Sequence, residues 1–432
     1  MTVDLGARGA RARAWTSLRR APVALAALLA TAAARADNVE EFGLGPRAQG
    51  MAGAQTALAT DMAAAYYNPG GLVFADRLAL TLGFTHGSYH LQVDSQRGAD
   101  LAERAERIPD LSAYVLGIAS AVPFDTPDRF GIGLAVFLPS RGIVTLDATT
   151  DPTRPEWFRY GERHDRVHLV ASAAVRATDW LSLGLGASIF VDGGGRTDTE
   201  LTDVDLELRL TPDAGLVVGA LATPLPWLTV GVTYRSEVSF KLDFPIRVAG
   251  NPLLDLEAIT YFTPHQVQLG LAADVGDRLL LTFDLLWANW SAYDTPFLIV
   301  SGGGAVYQER QRFRDVFSPK LGVELVAAEW LLVRGGYAFR STAVPDQDGR
   351  VTNLIGGDKH LFALGAGLLF DLPAGPAAGE QARSGGSVDL DLFVQLHWHP
   401  AVQARKDASD PVGDWEAQGV IVNVGVAATF RF

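Results

Sequence analysis

Histidine pairs are the residues of this sequence best suited to hold a metal ion. His164 and His168 stand four residues apart in HDRVH. That spacing brings two imidazoles together on a helix, but the segment has the pattern of a loop entering a strand. His397 and His399 fall on one strand face and could share a cation, although a hydrated position at a rim is favoured. The stretch 192–198, DGGGRTD, lacks the full ligand set of a calcium loop and is predicted to be a flexible loop. The sequence therefore predicts no metal site and no cofactor.

Catalytic motifs are missing from the chain. The sequence has no G-x-S-x-G elbow, no H-E-x-x-H pair and no Walker A loop. It contains no cysteine, which excludes disulfides, thiolate metal sites and cysteine nucleophiles. The net charge of −13 makes nucleic acid an unsuitable partner, because phosphate binding needs clustered Lys and Arg. We expect a protein that is not an enzyme and does not bind nucleic acid.

Isolated cations are the remaining candidates for a binding site. They stand on the polar faces of alternating segments, and each could neutralise a carboxylate that would otherwise be costly to bury. Such cations more often pair with an acid on a neighbouring strand, and Glu237 and Glu324 are placed to do so. The candidate ligand anchors are Arg235, Lys320 and Arg334, with Lys241 and Arg340 as further candidates.

The first 36 residues have the pattern of an export signal. Five arginines between positions 8 and 20 form a basic segment, and residues 21–34 are an apolar Ala/Leu stretch too short to span a bilayer. Ala34-Arg35-Ala36 has the A-x-A form of a signal peptidase site. We predict a signal peptide over residues 1–36 and a mature chain that begins at Asp37.

Alternation of polar and apolar residues fills the chain after residue 77. In residues 228–242, apolar side chains alternate with Thr, Arg, Glu, Ser and Lys, which gives a strand one apolar and one polar face. Long loops after odd-numbered strands and mostly short turns after even-numbered ones predict an all-β transmembrane antiparallel barrel with both termini in the periplasm. The fourteen predicted strands cover residues 78–92, 111–123, 129–139, 165–178, 180–192, 213–224, 226–242, 263–275, 278–292, 315–327, 330–343, 358–372, 385–398 and 419–432.

Aromatic residues mark the predicted ends of these strands. In a membrane barrel, a girdle of aromatic side chains belongs at the boundary between hydrocarbon and head groups. The residues that we assign to this girdle are Trp180, Trp227, Trp330, Trp398 and Phe432.

Residues 37–77 lack this alternation. They are rich in Ala and Gly and contain two short helical stretches, near 47–59 and 62–67, the second capped by Asp61. The turn Asn68-Pro69-Gly70-Gly71 stops the second helix and is predicted to form the sharp exit to the first strand. A barrel of fourteen strands encloses a lumen too wide for side chains alone to fill. We therefore predict that residues 37–77 form a plug inside a barrel of residues 78–432.

The plug segment EFGLGPRAQGMAGAQTALATDMAAAYYNPGGL resembles the N-terminal hatch of the FadL/TodX family of outer-membrane transporters. Ala52 replaces one glycine of the family pattern, and Gly70 replaces the alanine of its Asn-Pro-Ala motif. The matching hatch positions are Gly43, Gly45, Arg47, Ala48, Gly50, Met51, Gly53, Ala54, Thr56, Ala57, Asp61, Asn68 and Pro69. Barrel segments that look like the family's strands, in the same order, are GVTYRSEV, WANWS, RDVFSPKLGVEL and LLVRGGYAFRSTAVPD.

This resemblance implies a transporter of long-chain fatty acids or aromatic hydrocarbons in the bacterial outer membrane. The ligand would be captured among extracellular loops, pass to a pocket above the plug and leave sideways through an opening at an inward kink of the third strand. In that strand Gly131 and Gly133 weaken pairing and permit a bulge, and Pro139 cannot donate to a ladder. The expected partners are a hydrophobic small molecule and outer-membrane lipid, and we expect a monomer.

Two other functions stay open from the residues alone. A general aqueous porin would share the barrel but have an open lumen and no N-terminal plug. An outer-membrane enzyme or adhesin would need a site that the motifs do not provide. The substrate is open as well, since a fatty acid needs a cation for its carboxylate whereas an aromatic hydrocarbon needs none. The acidic loops slightly favour a substrate range that includes neutral hydrocarbons.

Overall fold

Fourteen antiparallel strands form the body of the molecule. The computed structural model describes residues 37–75, 78–95, 108–122, 129–142, 155–161, 165–200, 203–248, 251–293, 298–301, 304–307, 312–349, 353–372, 386–407, 410 and 412–432. The predicted signal peptide, residues 1–36, lies outside this part of the chain. The barrel strands are β1 Ala79–Ser95, β2 Leu111–Val122, β3 Phe130–Pro139, β4 His168–Arg176, β5 Leu181–Glu200, β6 Asp203–Leu225, β7 Leu228–Arg235, β8 Gln266–Val275, β9 Leu279–Ala288, β10 Val316–Ala328, β11 Leu331–Arg340, β12 Lys359–Asp371, β13 Ser387–Ala404 and β14 Trp415–Arg431.

The barrel is closed. Each of these strands pairs with the next one along the chain, and β14 returns to β1 with a register from Ala79 opposite Arg431 to Ser95 opposite Trp415. Closure satisfies the backbone donors and acceptors that an open sheet would leave at its edges, which hydrocarbon does not tolerate. The predicted fold class is confirmed, and each predicted strand overlaps one strand of the barrel.

The two faces of the wall differ as the alternation predicts. On β1, Thr81 and Thr85 are buried towards the lumen, whereas Leu82 and Phe84 point outward and are 56% and 38% exposed. Such an apolar outer band matches the hydrocarbon layer. Trp398 does not end its strand as predicted, because β13 runs on to Ala404. The aromatic residues exposed at the ends or turns are Trp180, Trp227, Trp330 and Phe432.

Several predicted loops contain further strands. The stretch 192–198 was predicted to be a flexible loop, but β5 continues through it to Glu200 and pairs with β6 up to Asp203. The backbone ladder between β5 and β6 therefore extends to Glu200 opposite Asp203. The predicted seventh strand, 226–242, is likewise divided at residues 236–237. The additional pairs are Val238–Val248 with Asn251–Thr263, Leu298–Ser301 with Gly304–Tyr307, and Glu156–Trp157 in parallel with Leu354–Ile355.

The segment before β1 fills the lumen. Its helices are α1 Asn38–Phe42, α2 Pro46–Gly50, α3 Ala64–Tyr67 and a 3₁₀ helix Pro69–Phe74. None of the described helices has the length and apolar character needed to cross a bilayer. The first predicted helix is much shorter than expected, because the backbone turns into the left-handed region at Ala52 and Gly53. The predicted exit at Pro69–Gly71 is also wrong, since the 3₁₀ helix carries the chain on to Phe74 within the plug.

Ala52 has a backbone conformation that favours glycine. Its φ is 51°, in the left-handed region, where a Cβ atom costs about 1–2 kcal/mol. We expect Ala52→Gly to stabilise the plug by up to about 1 kcal/mol. The matched change Gly53→Ala, at φ +76°, should destabilise it by a similar amount. Hydrogen–deuterium exchange of the peptide that covers residues 44–58 measures both effects. Faster exchange in Ala52→Gly than in the wild type would contradict this prediction.

Candidate functional site

Asp284 on β9 anchors the middle of the plug. Its Oδ2 atom accepts hydrogen bonds from the backbone N–H groups of Gln55 and Thr56, both at 2.9 Å, and from the Thr56 hydroxyl at 2.8 Å. Gln268 of β8 donates to the same oxygen at 2.8 Å. A fully buried carboxylate is tolerable here because four donors surround it.

Asn68 joins two parts of the plug to the wall. Its side-chain oxygen accepts from the Gly70 N–H at 3.0 Å, and its amide donates to the carbonyls of Thr56 and Ala220 at 2.8 and 2.9 Å. Three of the four hydrogen bonds that a buried amide side chain can make are therefore formed. Asp61 does not cap α3 as predicted: it accepts from the Ala63 N–H at 2.9 Å, in the turn before the helix, and the N-cap of α3 is Ala63.

Close contact also fixes the plug, and two predicted hatch glycines show why. A Cβ atom on Gly50 would stand 3.1 Å from the Gly365 Cα atom of β12. A Cβ atom on Gly70 would stand 3.2 Å from the Leu221 backbone nitrogen of β6. Gly45 lies where α2 begins, and Pro69 opens the 3₁₀ helix. The plug backbone thus touches the wall at points where any larger residue would push it away.

An ion cluster ties the plug to the periplasmic half of the barrel. We call Arg47, Glu324, Arg334 and Asp391 the lower cluster. Glu324 of β10 accepts from Arg47 of the plug at 2.6 and 2.9 Å and from Arg334 of β11 at 2.6 Å, and Arg334 also pairs with Asp391 of β13. Arg334 is therefore fully occupied by wall acids, as cross-strand pairing predicted for such cations.

A second ion cluster lies at the extracellular half and holds α1. We call Glu40, Glu41, Arg159, Arg340 and Lys359 the upper cluster. Glu41 pairs with Arg159 at 2.7 Å, with Arg340 at 2.9 Å and with Lys359 at 2.6 Å. Glu40 pairs with Arg159 at 2.9 Å and also with Arg340. The three cations come from the loop after β3, the end of β11 and the start of β12, so α1 draws three wall segments together.

The two acids of the upper cluster are ionised at neutral pH. Burial alone would raise the pKa of Glu40, but the guanidinium groups of Arg340 and Arg159 lower it below its usual 4.5. Burial opposes the ionisation of Glu41 as well, and Lys359, Arg159 and Arg340 together lower its pKa well below 4.5. The stabilisation is therefore complete above about pH 4.5 and is lost only as the pH falls through these depressed values.

Two small cavities lie on either side of the upper cluster. The inner cavity, of about 40 Å³, lies between α1, the rest of the plug and the wall, and Arg235 and Lys320 line it. The outer cavity, of about 20 Å³, lies among Trp157, Phe158 and the loop after β11. Volumes of this size hold ordered water but no hydrocarbon chain. Neither cavity, as the described residues form it, therefore admits a hydrocarbon ligand.

An aromatic cluster covers the lumen beneath the extracellular loops. Phe158 packs against Trp290 and Phe313 with ring centroids at 5.3 and 5.0 Å, and Phe262 lies 5.0 Å from Tyr293. All five side chains are buried, and they belong to different loops and strand ends. Phe158 of this cluster also lines the outer cavity.

The three predicted ligand anchors have different surroundings. Arg334 belongs to the lower cluster. Arg235 donates to Gln266, Gln268 and the Tyr66 carbonyl, and its guanidinium lies 4.5 Å above the Tyr66 ring, with no acid partner among the described residues. The expected competitor Glu237 faces His265 instead, at 3.9 Å. Lys241 has no described side chain.

Lys320 is the predicted anchor that stays available. It makes no hydrogen bond or ion pair within the described part of the chain, although it lies opposite Asp284 in the sheet register. The expected competitor Glu324 is held by Arg47 and Arg334. Lys320 therefore presents a half-buried ammonium group to the inner cavity.

The third strand shows no bulge. β3 pairs with β2 from Ala113 opposite Pro139 to Val122 opposite Phe130, and with β4 along most of its length, without a register shift. Gly131 and Gly133 face the lumen, where Leu72 of the plug takes the space that their side chains would need. The expected bulge is therefore absent along the paired length of β3, and the two glycines admit the plug instead. Lateral opening at β3 stays a prediction.

Asp37, His168 and Ser188 have the order of a hydrolase triad. His168 Nε2 lies 2.5 Å from the Ser188 hydroxyl, and its Nδ1 lies 2.8 Å from the Asp37 carboxylate. Ser188, however, is inside β5 and paired with strands on both sides, so no oxyanion hole can form from its own N–H group. The imidazole is covered by Phe190, stacked at 4.1 Å. The arrangement thus fixes the start of the plug to the wall.

Of the upper cluster, only Arg340 was among the candidate residues predicted from the sequence. Glu40 and Glu41 are adjacent acids in an otherwise small and apolar plug, and acids in a buried segment require cations. The two adjacent acids of the plug therefore predict buried cation partners. Arg159 and Lys359 could not have been named as their partners, because 118 or more residues separate each of them from the acids.

The structure defines a class: an outer-membrane barrel whose lumen is closed by its own N-terminal plug. The family model described as outer membrane protein transport protein (OMPP1/FadL/TodX) matches residues 211–374. Alkane uptake protein A of Marinobacter nauticus is 24% identical over 386 residues, which cover 82% of this chain and 84% of that protein.

Solved structures share the fold at low identity. A Pseudomonas aeruginosa FadL homologue is 14% identical with a TM-score of 0.57, and the match covers 90% of this chain and 98% of that one. The toluene transporter TodX of P. putida is 15% identical with a TM-score of 0.54, over 90% and 99% of the two chains. These similarities support the resemblance to the FadL/TodX family that the hatch sequence predicts, since the family model matches within the barrel and the solved structures share the fold. The chain is similar to outer-membrane proteins that transport hydrophobic compounds.

Proposed function

We propose that this protein takes up neutral hydrocarbons through the outer membrane. The observation that carries the proposal is the state of the interior cations. Arg159, Arg340 and Lys359 are paired with the plug's own acids, and Arg334 with acids of the wall. A lumen whose charges are mostly neutralised suits an uncharged ligand. Two relatives are named for such compounds, alkane uptake protein A and the toluene transporter TodX.

The route begins at the aromatic cluster. An apolar molecule that inserts among rings such as Phe158 and Trp290 would remove its own surface from water, which favours its entry by about 25 cal/mol per Å² of apolar surface buried. The inner cavity of about 40 Å³ is too small for it, so α1 has to move before the ligand can pass. Release through the wall at β3 would return the ligand to hydrocarbon without a passage through water.

A fatty acid is the second candidate substrate, and Lys320 favours it. The ammonium group of Lys320 lines the inner cavity and has no ion-pair partner within the described residues, so it could bind a carboxylate. Arg235 lines the same cavity but is already hydrogen-bonded to two amides and a carbonyl.

Uptake by three alanine variants separates these substrates. We compare a long-chain fatty acid with a neutral hydrocarbon in the wild type and in Arg235→Ala, Lys320→Ala and Arg334→Ala. For a hydrocarbon transporter, Lys320→Ala should leave uptake of the hydrocarbon unchanged. Arg334→Ala should impair uptake of both compounds several-fold, because it leaves Glu324 and Asp391 with fewer partners and loosens the plug.

The control is a strain without the protein. If the wild type takes up the hydrocarbon no faster than that strain, the proposed function is wrong. If Lys320→Ala loses the fatty acid selectively and the wild type prefers that acid, the second candidate replaces the first.

A further inference from the structure

The upper cluster separates the inner cavity from the outer one. Glu41, Arg340 and Lys359 line both cavities, so their contacts form the partition between them. A ligand that moves between the two cavities has to pass these contacts. Whatever these groups accept or reject decides which head groups can reach the interior.

The cluster is built like an occupied carboxylate site. Three cations from separate wall and loop segments converge on the two carboxylates of α1, at 2.6 to 2.9 Å for the contacts of Glu41. The Tyr160 hydroxyl adds a fourth contact to Glu41, at 3.3 Å. Convergent Arg and Lys donors around one carboxylate are the arrangement that binds acids in general.

The plug's acids have an advantage over any free acid. They are tethered to the barrel, and a tethered group competes at an effective concentration in the millimolar range. A ligand carboxylate that enters beside them would also meet two negative charges in a site of low polarity, which is unfavourable. A neutral hydrocarbon suffers neither effect.

We propose, on the basis of the proposed function, that Glu40 and Glu41 are specificity-determining residues that occupy the head-group position and exclude carboxylate amphiphiles. The three cations are thereby kept from anionic ligands, and the passage discriminates by charge rather than by chain length. Removing the two negative charges without changing the shape of the side chains converts the partition into a carboxylate-binding site. The uptake of uncharged ligands is not lowered by that change.

Hexadecane and hexadecanoate are the probes, because they share a chain length and differ in the head group. Uptake of each is measured in cells that carry the wild type, Glu40→Gln/Glu41→Gln, or Glu324→Gln. We expect the ratio of hexadecanoate to hexadecane uptake to rise about tenfold in the double variant. It should not change in Glu324→Gln, which removes a matched buried acid from the lower cluster. Heat-modifiable migration and the absence of ion leakage report that each variant is folded and plugged.

The outcomes separate this inference from the proposed function. If the wild type takes up hexadecane and the ratio stays unchanged in a folded double variant, the inference is wrong and the proposed function stands. An equal rise in Glu324→Gln also overturns it, because any unpaired cation would then suffice. If the wild type takes up no hexadecane, the proposed function fails first. If the double variant does not assemble, Glu40→Gln, which keeps Glu41 and its three cations, decides by the same ratio: a several-fold rise supports the inference and no change overturns it.

Discussion

Deleting residues 40–72 should turn a sealed barrel into an open pore. The wall closes through its own backbone ladder, from β1 round to β14, so we expect the barrel to assemble without the plug. The buried groups Asp284, Glu324 and Arg340 would then face water, which solvates them and removes the cost of leaving them unpaired. Fourteen strands enclose a lumen that side chains do not fill. Ion conductance in a planar bilayer should therefore rise by at least an order of magnitude.

A shorter deletion is the matched control. Removing residues 38–42 alone takes away α1 but keeps the anchors at Arg47, Asp284 and Asn68, so conductance should stay close to that of the wild type. Circular dichroism and heat-modifiable migration confirm that both variants have formed barrels. A conductance of the longer deletion that does not exceed that of the wild type would show that residues 40–72 are not the seal.

The barrel could be predicted from the sequence because the features that specify it lie within single strands and loops. Alternation along each strand records which face meets lipid, and the loop lengths record which end is periplasmic. β8, for example, was predicted at residues 263–275 and observed from Gln266 to Val275. The family resemblance added the plug, whose small residues permit the close approach of backbone to wall seen at Gly50.

Contacts between distant residues could not be predicted in the same way. The alternation shows that Arg334 faces the lumen, but only the register of β10 with β11 places it opposite Glu324. The bulge at β3 was predicted from the glycines of that strand. In the structure, these glycines leave the space that Leu72 of the plug occupies. The first helix is short because the φ angle of Ala52 is positive. Alanine rarely adopts a positive φ, so the sequence does not predict the end of the helix there.

Locking β3 to its neighbour should abolish uptake if the ligand leaves sideways at this strand. A direct test with Gly131→Val would be ambiguous, since the new side chain would strike Leu72 and disturb the plug. Ile132 of β3 and Ala173 of β4 are opposite each other in the register and both point outward, away from the plug. Opposite residues in an antiparallel pair are close enough for a disulfide, and the natural chain has no cysteine to interfere.

The pair Ile132→Cys/Ala173→Cys should therefore lose nearly all hydrocarbon uptake when oxidised and regain it when reduced. The matched control is Val232→Cys/Leu269→Cys, which joins β7 to β8 through outward-facing positions elsewhere in the wall. Oxidation of that pair should leave uptake unchanged, because a stiffer wall at β7 and β8 does not obstruct an exit at β3. A second locked pair on the other side of the strand, Ser120→Cys/Ile132→Cys, tells which neighbour has to part from β3. If neither lock at β3 lowers uptake although the disulfides have formed, the strand separates from neither neighbour during transport, and the ligand must leave by another way.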